Sequence, residues 1–169
     1  MKIFRLNEKV QTPEFATEGS ACFDLKARLD LNAKLICYNP LNKETNVPVK
    51  IINGKVGVQL YPQQRMLIPT GLIFDIPKGH VLKLFPRSGS SLKKGLVLGN
   101  GTGIIDSDYV EELFVVLHNI SDAVAVIEDG ERIAQAMLEK TLTYDLVEVK
   151  TRPSRKTERE GGFGSTGTS

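Results

Sequence analysis

Short apolar runs, most of them ended by glycine, proline, asparagine or aspartate, follow one another along most of this chain, and no long stretch has the 3.6-residue period of a helix. Their spacing is typical of an all-β sandwich or barrel, because βαβ units would need long amphipathic helices between the strands. Asn53-Gly54, between two such runs, predicts a hairpin turn. The predicted strands are Lys2–Leu6, Lys34–Tyr38, Val47–Ile52, Lys55–Tyr61, Arg65–Ile68, Leu72–Ile76, Val81–Phe85, Leu113–His118, Ala123–Ile127, Arg132–Leu138 and Asp145–Val149.

One short helix is predicted over Ser90–Lys94, with Ser88 or Ser90 as its N-cap and Gly95 at its end. After residue 149 the chain contains charged residues, Gly, Ser and Thr, with Phe163 as its single aromatic residue. Such a segment cannot bury enough apolar area to order itself. We therefore expect one β domain over residues 1–150 and a flexible C-terminal arm over residues 151–169.

Length and composition exclude several classes of protein. A chain of 169 residues with 41% hydrophobic residues suits one globular domain, and it has no apolar run long enough to cross a bilayer. The first residues lack the apolar core of a secretory signal, so we expect a cytoplasmic protein, or one of the host-cell cytoplasm if it is viral. A net charge of +2 argues against direct nucleic-acid binding, and two cysteines with two histidines argue against a zinc site.

Two stretches are richer in polar turn residues than a simple connection needs, and the second of them could bind an anion. Gly19–Ala27 contains one acid, Asp24, which on its own is most simply a turn residue. Phe85–Gly95 contains Arg87, whose planar fork suits phosphate oxygens, followed by serine hydroxyls and by Gly89, which lets a ligand approach the backbone. A plain N-capped turn explains this second stretch equally well.

A third stretch, Leu98–Asn119, begins with a glycine-rich hairpin whose exposed backbone groups could pair with the edge of a flat heterocycle. Asp106 and Asp108 lie two residues apart and would share a face of an extended strand. One of them could act as a general base and the other could be structural. A glycine-rich turn closed by Asx hydrogen bonds is the alternative.

Near the C-terminus, residues 162–167 match the phosphate-cradling pattern G-x-G-x-x-G, but only two residues follow where a helix is normally required. Arg159 and the hydroxyls of Ser165 and Thr166 would suit a terminal phosphate, and Phe163 could stack on a base. An arm without its own scaffold can bind in this way if it closes over a ligand that is already held elsewhere.

Taken in order, five stretches resemble the five motifs of the trimeric dUTP diphosphatase (dUTPase) family. The first three are "SACFDLKA", "PRSGSSLKKG" and "GNGTGIIDSDYVEEL", and the last two are "GERIAQAML" and "EREGGFGSTG". "IPTGL", Ile68–Leu72, also has a counterpart in the family. The resemblance extends from about Gly19 to Gly167.

This resemblance implies a β-barrel-like jelly-roll (β-clip) subunit of a homotrimer with shared active sites. It implies hydrolysis of dUTP to dUMP and pyrophosphate by Mg2+-assisted attack of water on the α-phosphate, which keeps uracil out of DNA and supplies dUMP for thymidylate synthesis. In the family the arm reaches a neighbouring subunit's site, so the scaffold that residues 162–167 lack would lie on another chain.

The resemblance also assigns roles to individual residues. Asp106 matches the residue that orients the attacking water, and Asp24 matches the acid that holds the metal through water. Tyr109 matches the aromatic residue beneath the deoxyribose. The matched triphosphate contacts are Arg87, Ser88, Gly89 and Gln135. The matched uracil pocket is Asn100, Gly103 and Ile104. The matched closing arm is Arg159, Phe163, Gly164, Ser165 and Thr166.

Four features depart from the family pattern. Cys22 and Glu111 stand where glycine is usual, and Arg159 lies one residue closer than usual to the glycine pair that follows it. The segment over about residues 30–64 is longer than usual and contains what looks like an inserted β-hairpin. We interpret this hairpin as a surface elaboration, with a binding site for a protein partner as the alternative.

Three other functions compete with dUTP hydrolysis. A dCTP deaminase shares the fold, although "GIIDSDY" favours a dUTPase. A regulatory or structural protein that had lost catalysis is a second alternative, and a nucleotide-binding β domain without turnover is a third. Ammonia release from dCTP, compared with pyrophosphate release from dUTP, separates the first alternative from the main prediction.

Overall fold

Fourteen β-strands and one short helix form the described part of the computed structural model, which covers residues 1–158. The strands are β1 Lys2–Arg5, β2 Phe23–Lys26, β3 Lys34–Tyr38, β4 Glu44–Pro48, β5 Lys50–Ile52, β6 Lys55–Leu60, β7 Arg65–Pro69, β8 Leu72–Asp75, β9 His80–Phe85, β10 Leu96–Leu98, β11 Gly103–Ile105, β12 Phe114–Asn119, β13 Ala125–Glu128 and β14 Arg132–Lys140. The helix α1 covers Ser88–Lys94. Among these residues no helix is long and apolar enough to span a membrane.

All strand pairs are antiparallel, and they form a jelly roll built mainly from two sheets. One sheet has the strand order β10-β12-β7-β3-β4 and the other has the order β11-β9-β14-β2, with two smaller sheets, β13-β6-β5 and β1-β8, at their margins. Inward side chains of both main sheets belong to one apolar cluster, which includes Ile68 and Leu117 from the first and Leu25 and Leu82 from the second. The all-β prediction is therefore confirmed.

Nine of the predicted strands are present with ends shifted by two residues or fewer. The predicted strand Val47–Ile52 is divided into β4 and β5, because Val49 between them turns into the core and is fully buried. The sequence did not predict β2, β10 or β11, which have only three or four residues and lie in stretches rich in polar residues or glycine.

The predicted strand Asp145–Val149 is wrong for this chain taken alone, because residues 141–149 have no regular secondary structure. A strand needs a partner, and the described residues provide none for this segment. Its apolar side chains are largely exposed to solvent: Leu142 87%, Tyr144 75%, Leu146 91%, Val147 76% and Val149 64%.

The hairpin at Asn53-Gly54 is confirmed. Ile52 pairs with Lys55, so the turn has two residues, and both have positive φ angles of 50° and 81°. Positive φ at both positions defines the type I′ turn, whose twist matches that of the flanking strands.

The helix begins two residues earlier than predicted, and the predicted serine caps are wrong. Arg87 is the N-cap residue, with extended backbone angles and no side-chain capping hydrogen bond. The predicted end is confirmed, because Gly95 adopts the left-handed conformation with φ 62° and follows two lysines that suit the helix C-terminus.

The long segment between the first two motifs is part of the fold and not only a surface loop. β4 pairs with β3 along five residues, and β5 pairs with β6. Val49 exchanges backbone hydrogen bonds with Asn32 and Ala33. The connection over residues 39–43 lies wholly outside the strands and the core.

We expect this connection to be dispensable for stability. Tyr38 pairs directly with Glu44, so Asn-Gly can replace residues 39–43 as a two-residue turn. The free energy of unfolding, measured in urea, should change by less than about 0.5 kcal/mol. Val49→Ala is the matched comparison and should lose about 2 kcal/mol, because it leaves a cavity in the core. A larger loss from the turn replacement than from Val49→Ala would show that the connection supports the fold.

Candidate active site

Three strands of one sheet bring polar residues from separate parts of the chain to one place. Asp24 on β2 pairs with Gln135 on β14, and Gln135 pairs in turn with Phe85 at the end of β9. Arg87 follows β9 by two residues, so it leaves the sheet beside this row. Strand register thus brings Asp24 and Gln135 together, and the segment between β9 and α1 places Arg87 beside them.

A carboxylate between two arginines is the centre of this cluster. Arg87 Nε donates to Asp24 Oδ1 at 2.7 Å, and Arg132 Nη1 donates to Asp24 Oδ2 at 3.2 Å. Gln135 Nε2 donates to the Pro86 carbonyl at 3.0 Å, which joins β14 to the segment that carries Arg87. These groups border a cleft of about 390 Å3, to which Ser88 also contributes. Two guanidinium groups against one carboxylate leave the cleft positively charged and suited to an anion.

Arg132 is a site residue that sequence reasoning did not select. It lies three residues before Gln135, a spacing that puts two side chains on opposite faces of a regular strand. A β-bulge changes this, because Arg132 pairs with Lys26 whereas Ala134 pairs with Leu25. Two steps along β14 match one step along β2, so Arg132 and Gln135 border the same cleft.

Gly89 lies in the first turn of α1 and borders a neighbouring basic depression together with Arg87, Lys93 and Lys94. A Cβ atom at Gly89 would meet nothing within 4 Å, so its backbone is open to an approaching ligand. This open space is consistent with the prediction that a ligand can approach the backbone closely at Gly89.

A glycine-rich segment over residues 99–102 connects β10 and β11, and the prediction of a hairpin there is wrong, because β10 pairs with β12 and β11 pairs with β9 in a different sheet. Gly103 is buried against β9, and a Cβ atom there would lie 2.9 Å from Leu84 side-chain atoms. Asn100 in this segment and Ile104 in β11 are exposed, so both residues are accessible to a ligand. The tight packing at Gly103 fixes the end of the segment against the sheet.

Asp106 and Asp108 follow β11 in a turn, so the prediction that they share a strand face is wrong. Both are exposed. Tyr109 N–H donates to the Asp106 carbonyl at 3.2 Å, which closes the turn, and the Tyr109 hydroxyl donates to the Glu112 carbonyl at 2.8 Å. The Tyr109 side chain thus has a fixed partner while the residue stays 39% exposed.

The structure does not bring Asp106 to the Arg87 cluster within one chain. Gly103 pairs with Leu84 and Ile105 with Leu82, so Asp106 leaves the sheet level with Val81. Arg87 lies six residues along, at the other end of β9, and its backbone is extended. At about 3.3 Å per residue the two are separated by about 20 Å, too far to contact one phosphate group.

A family model for dUTPase matches residues 52–167 of the chain. The chain belongs to the dUTPase family. A deoxyuridine 5'-triphosphate nucleotidohydrolase from Fusobacterium nucleatum is 37% identical over 168 residues, covering 99% of this chain and 96% of that protein. One from Hydrogenobaculum is 38% identical over 136 residues, covering 75% of this chain and 94% of that protein.

Solved dUTPase structures share the fold as well. The Staphylococcus bacteriophage 80alpha dUTPase G164S mutant, with dUpNHpp, aligns with a TM-score of 0.70 at 25% identity, covering 99% of this chain and 98% of that chain. The Streptococcus mutans dUTPase aligns with a TM-score of 0.65 at 26% identity, covering 86% of this chain and 99% of that chain.

Two departures from the dUTPase pattern lie in or near the site. Cys22 borders the cleft, where burial and the nearby Asp24 carboxylate raise the pKa of its thiol. The thiol therefore stays protonated and adds no charge at neutral pH. Glu111 is exposed. The five residues predicted in the closing arm, Arg159, Phe163, Gly164, Ser165 and Thr166, lie outside the described residues.

Proposed function

We propose that this chain hydrolyses dUTP to dUMP and pyrophosphate. Membership of the dUTPase family supports the reaction. Within the chain, the cleft formed by Asp24, Arg87, Ser88, Arg132 and Gln135 is the observation that carries the proposal, because its charge and donors suit a polyphosphate. We place the reaction in the cytoplasm, where soluble nucleotides are available.

We assign the triphosphate to this cleft. Arg87 uses its Nε on Asp24, which leaves its two terminal nitrogens for phosphate oxygens. Ser88 offers a hydroxyl, Gly89 an open backbone, and Gln135 an amide already held by Pro86. Each of these groups is positioned by a strand or by the start of α1, so little rearrangement is required on binding.

We assign the uracil and sugar to the glycine-rich segment before β11, to β11 itself and to the loop that follows it. Asn100 and Ile104 are exposed and can offer polar groups to the base, and Gly103 between them packs tightly against β9. A pocket too narrow for a methyl group would reject thymine, and its donors and acceptors would mismatch cytosine. Tyr109 would pack under the deoxyribose and leave no room for a 2′-hydroxyl.

The donor set fits Mg2+ that arrives with the triphosphate. The described residues contain no cluster of three or more His, Cys, Asp or Glu side chains that could hold a metal ion. Mg2+ keeps several waters and commonly binds through phosphates and one or two carboxylates. Asp24, a single carboxylate in the phosphate cleft, would hold it through water. When bound, the ion would neutralise charge on the triphosphate.

In this mechanism Asp106 accepts a proton from the attacking water. The water oxygen bonds to the α-phosphorus, the bond to the bridging oxygen breaks, and pyrophosphate leaves. Arg87, Ser88 and Gln135 hold the phosphate oxygens in position. The reaction needs positioning and charge neutralisation more than covalent help, so no nucleophilic side chain is required.

We propose that the chain forms a homotrimer with shared active sites. The separation of about 20 Å between Asp106 and Arg87 within one chain means that a complete site needs both groups from different chains. The exposed apolar side chains over residues 142–149 support assembly, since a neighbouring subunit would cover them. The five arm residues would then close over a neighbour's site.

The test is an assay of pyrophosphate release from each dNTP, with and without Mg2+. We expect release from dUTP in preference to the other nucleotides, and stimulation by Mg2+. Ammonia release from dCTP would instead identify a deaminase. Binding of dUTP without turnover would identify a binding or regulatory protein.

Replacement of Tyr109 by Ala should weaken dUTP binding and lower the ratio of kcat/KM for dUTP to kcat/KM for UTP. The ring is the group that we place beneath the sugar, and without it an added hydroxyl has room. The measurement is kcat/KM for both nucleotides. If they remain as well separated as in the wild type, another element excludes the 2′-hydroxyl.

A further inference from the structure

The loop over residues 106–113, which we call the 106–113 loop, carries both Asp106 and Tyr109. Most of its residues up to Glu111 are exposed, so they have little packing to hold them. Among the described residues, the side chain of Glu112 connects this loop to the rest of the fold through a hydrogen bond.

Glu112 is hydrogen-bonded to a rigid part of the backbone. Its Oε1 accepts the Gly71 N–H at 2.7 Å, and no positively charged side chain in the described residues pairs with it. Gly71 has φ 70° and is buried, with a Cβ position only 2.5 Å from Val10 Cγ2. A bond from an ionised carboxylate to a fixed backbone donor is charge-assisted and therefore strong.

The residues on either side extend this anchor in both directions. After Glu112, Leu113 donates its N–H to the Leu72 carbonyl at 2.8 Å and accepts the Thr70 hydroxyl at 2.6 Å. The backbone carbonyl of Glu112 itself accepts the hydroxyl of Tyr109, which lies earlier in the loop, at 2.8 Å. The side chain of Glu112 thus holds the loop on the turn over residues 70–72, while its backbone holds Tyr109.

We propose that Glu112 is a positioning residue for Tyr109 and thereby sets the discrimination between dUTP and UTP. This inference rests on the function proposed above. Asp106 directly follows Ile105, the last residue that β11 pairs with β9, whereas Tyr109 lies four residues beyond that pair and its hydroxyl is held by the Glu112 carbonyl. Loss of the Glu112 carboxylate should therefore affect sugar discrimination more than the chemical step.

The experiment compares kcat and KM for dUTP and UTP in the wild type and three variants. In Glu112→Ala, the ratio of kcat/KM for dUTP to that for UTP should fall by about tenfold, mainly through KM for dUTP. Glu112→Gln keeps an oxygen that can accept the Gly71 N–H and should restore most of the ratio. Glu111→Ala is the matched control, since Glu111 is the adjacent exposed acid, and its ratio should stay at the wild-type value.

A double-mutant comparison tests whether Glu112 acts through Tyr109. Adding Glu112→Ala to Tyr109→Ala should lower the ratio little further, because the group being positioned is already absent. If the two substitutions lower the ratio independently, so that their separate factors multiply in the double mutant, the inference is overturned. Thermal unfolding distinguishes a positioning role from a purely structural one. If Glu112→Ala lowers the melting temperature but leaves the ratio unchanged, the role is purely structural and the inference is overturned.

If Glu112→Ala does not fold, Tyr109→Phe provides a second test of the same inference. It removes only the hydroxyl that binds the Glu112 carbonyl, and a partial fall in the ratio is expected. An unchanged ratio would overturn the inference. A wild type that does not hydrolyse dUTP would overturn the proposed function, whereas a selective wild type with an equally selective Glu112→Ala would overturn only the role of Glu112.

Discussion

Replacement of Asp106 by Asn should leave a folded protein that binds dUTP but turns it over more slowly, by on the order of 10²–10⁴. The amide has nearly the same shape as the carboxylate but cannot accept the proton of the attacking water. Asp106 is exposed and its side chain makes no hydrogen bond among the described residues, so the fold does not depend on it. The measurements are kcat from pyrophosphate release and binding of a non-hydrolysable dUTP analogue.

Asp108→Asn is the matched control, because Asp108 is exposed in the same turn. We expect its turnover to remain close to that of the wild type. Near-normal turnover of Asp106→Asn would exclude Asp106 as the base and direct attention to Asp24 or Asp108.

Two inactive variants should regain activity when they are assembled together, because we propose that the arm and Asp106 of one site come from different chains. A chain that ends after Ser154 keeps every described strand, since β14 ends at Lys140, but lacks the arm. We expect it to fold, to form trimers and to have little activity. Asp106→Asn trimers keep the arm and should be nearly inactive. The two proteins are mixed, unfolded and refolded together.

With equal random assembly, about three quarters of the trimers contain both kinds of chain. By cyclic symmetry each mixed trimer has one site with both an intact Asp106 and an intact arm, so about a quarter of all sites are complete. Pyrophosphate release should return to about that fraction of the wild-type rate. Mixed trimers without recovered activity would show that the arm serves the site built with its own chain's Asp106.

Much of the fold could be predicted because local sequence determines it. The type I′ turn at Asn53-Gly54 needs positive φ at both residues, and these two residue types tolerate it, so the turn can be read directly. The end of α1 at Gly95 follows from the same physical rule. Strand β3 has alternating buried and exposed residues and was predicted with its observed bounds.

The features that were missed depend on partners distant in sequence. Arg132 reaches Asp24 only because a bulge between Arg132 and Ala134 shifts the register of β14 against β2. No local pattern shows that shift. Asp145–Val149 has the composition of a strand, but a strand forms only where another strand can pair with it, and the described part of a single chain offers no partner.

The ion pair between Arg87 and Asp24 has a consequence for how tightly a nucleotide can bind. An arginine side chain has about 2 kcal/mol of rotamer entropy to lose when it is fixed. Because Asp24 already holds the Nε of Arg87 in the folded chain, much of that loss occurs during folding, and the guanidinium is oriented before a ligand arrives. If Arg87 binds the phosphate chain as we propose, Asp24 should therefore contribute to the affinity for that chain even when it carries no metal ion.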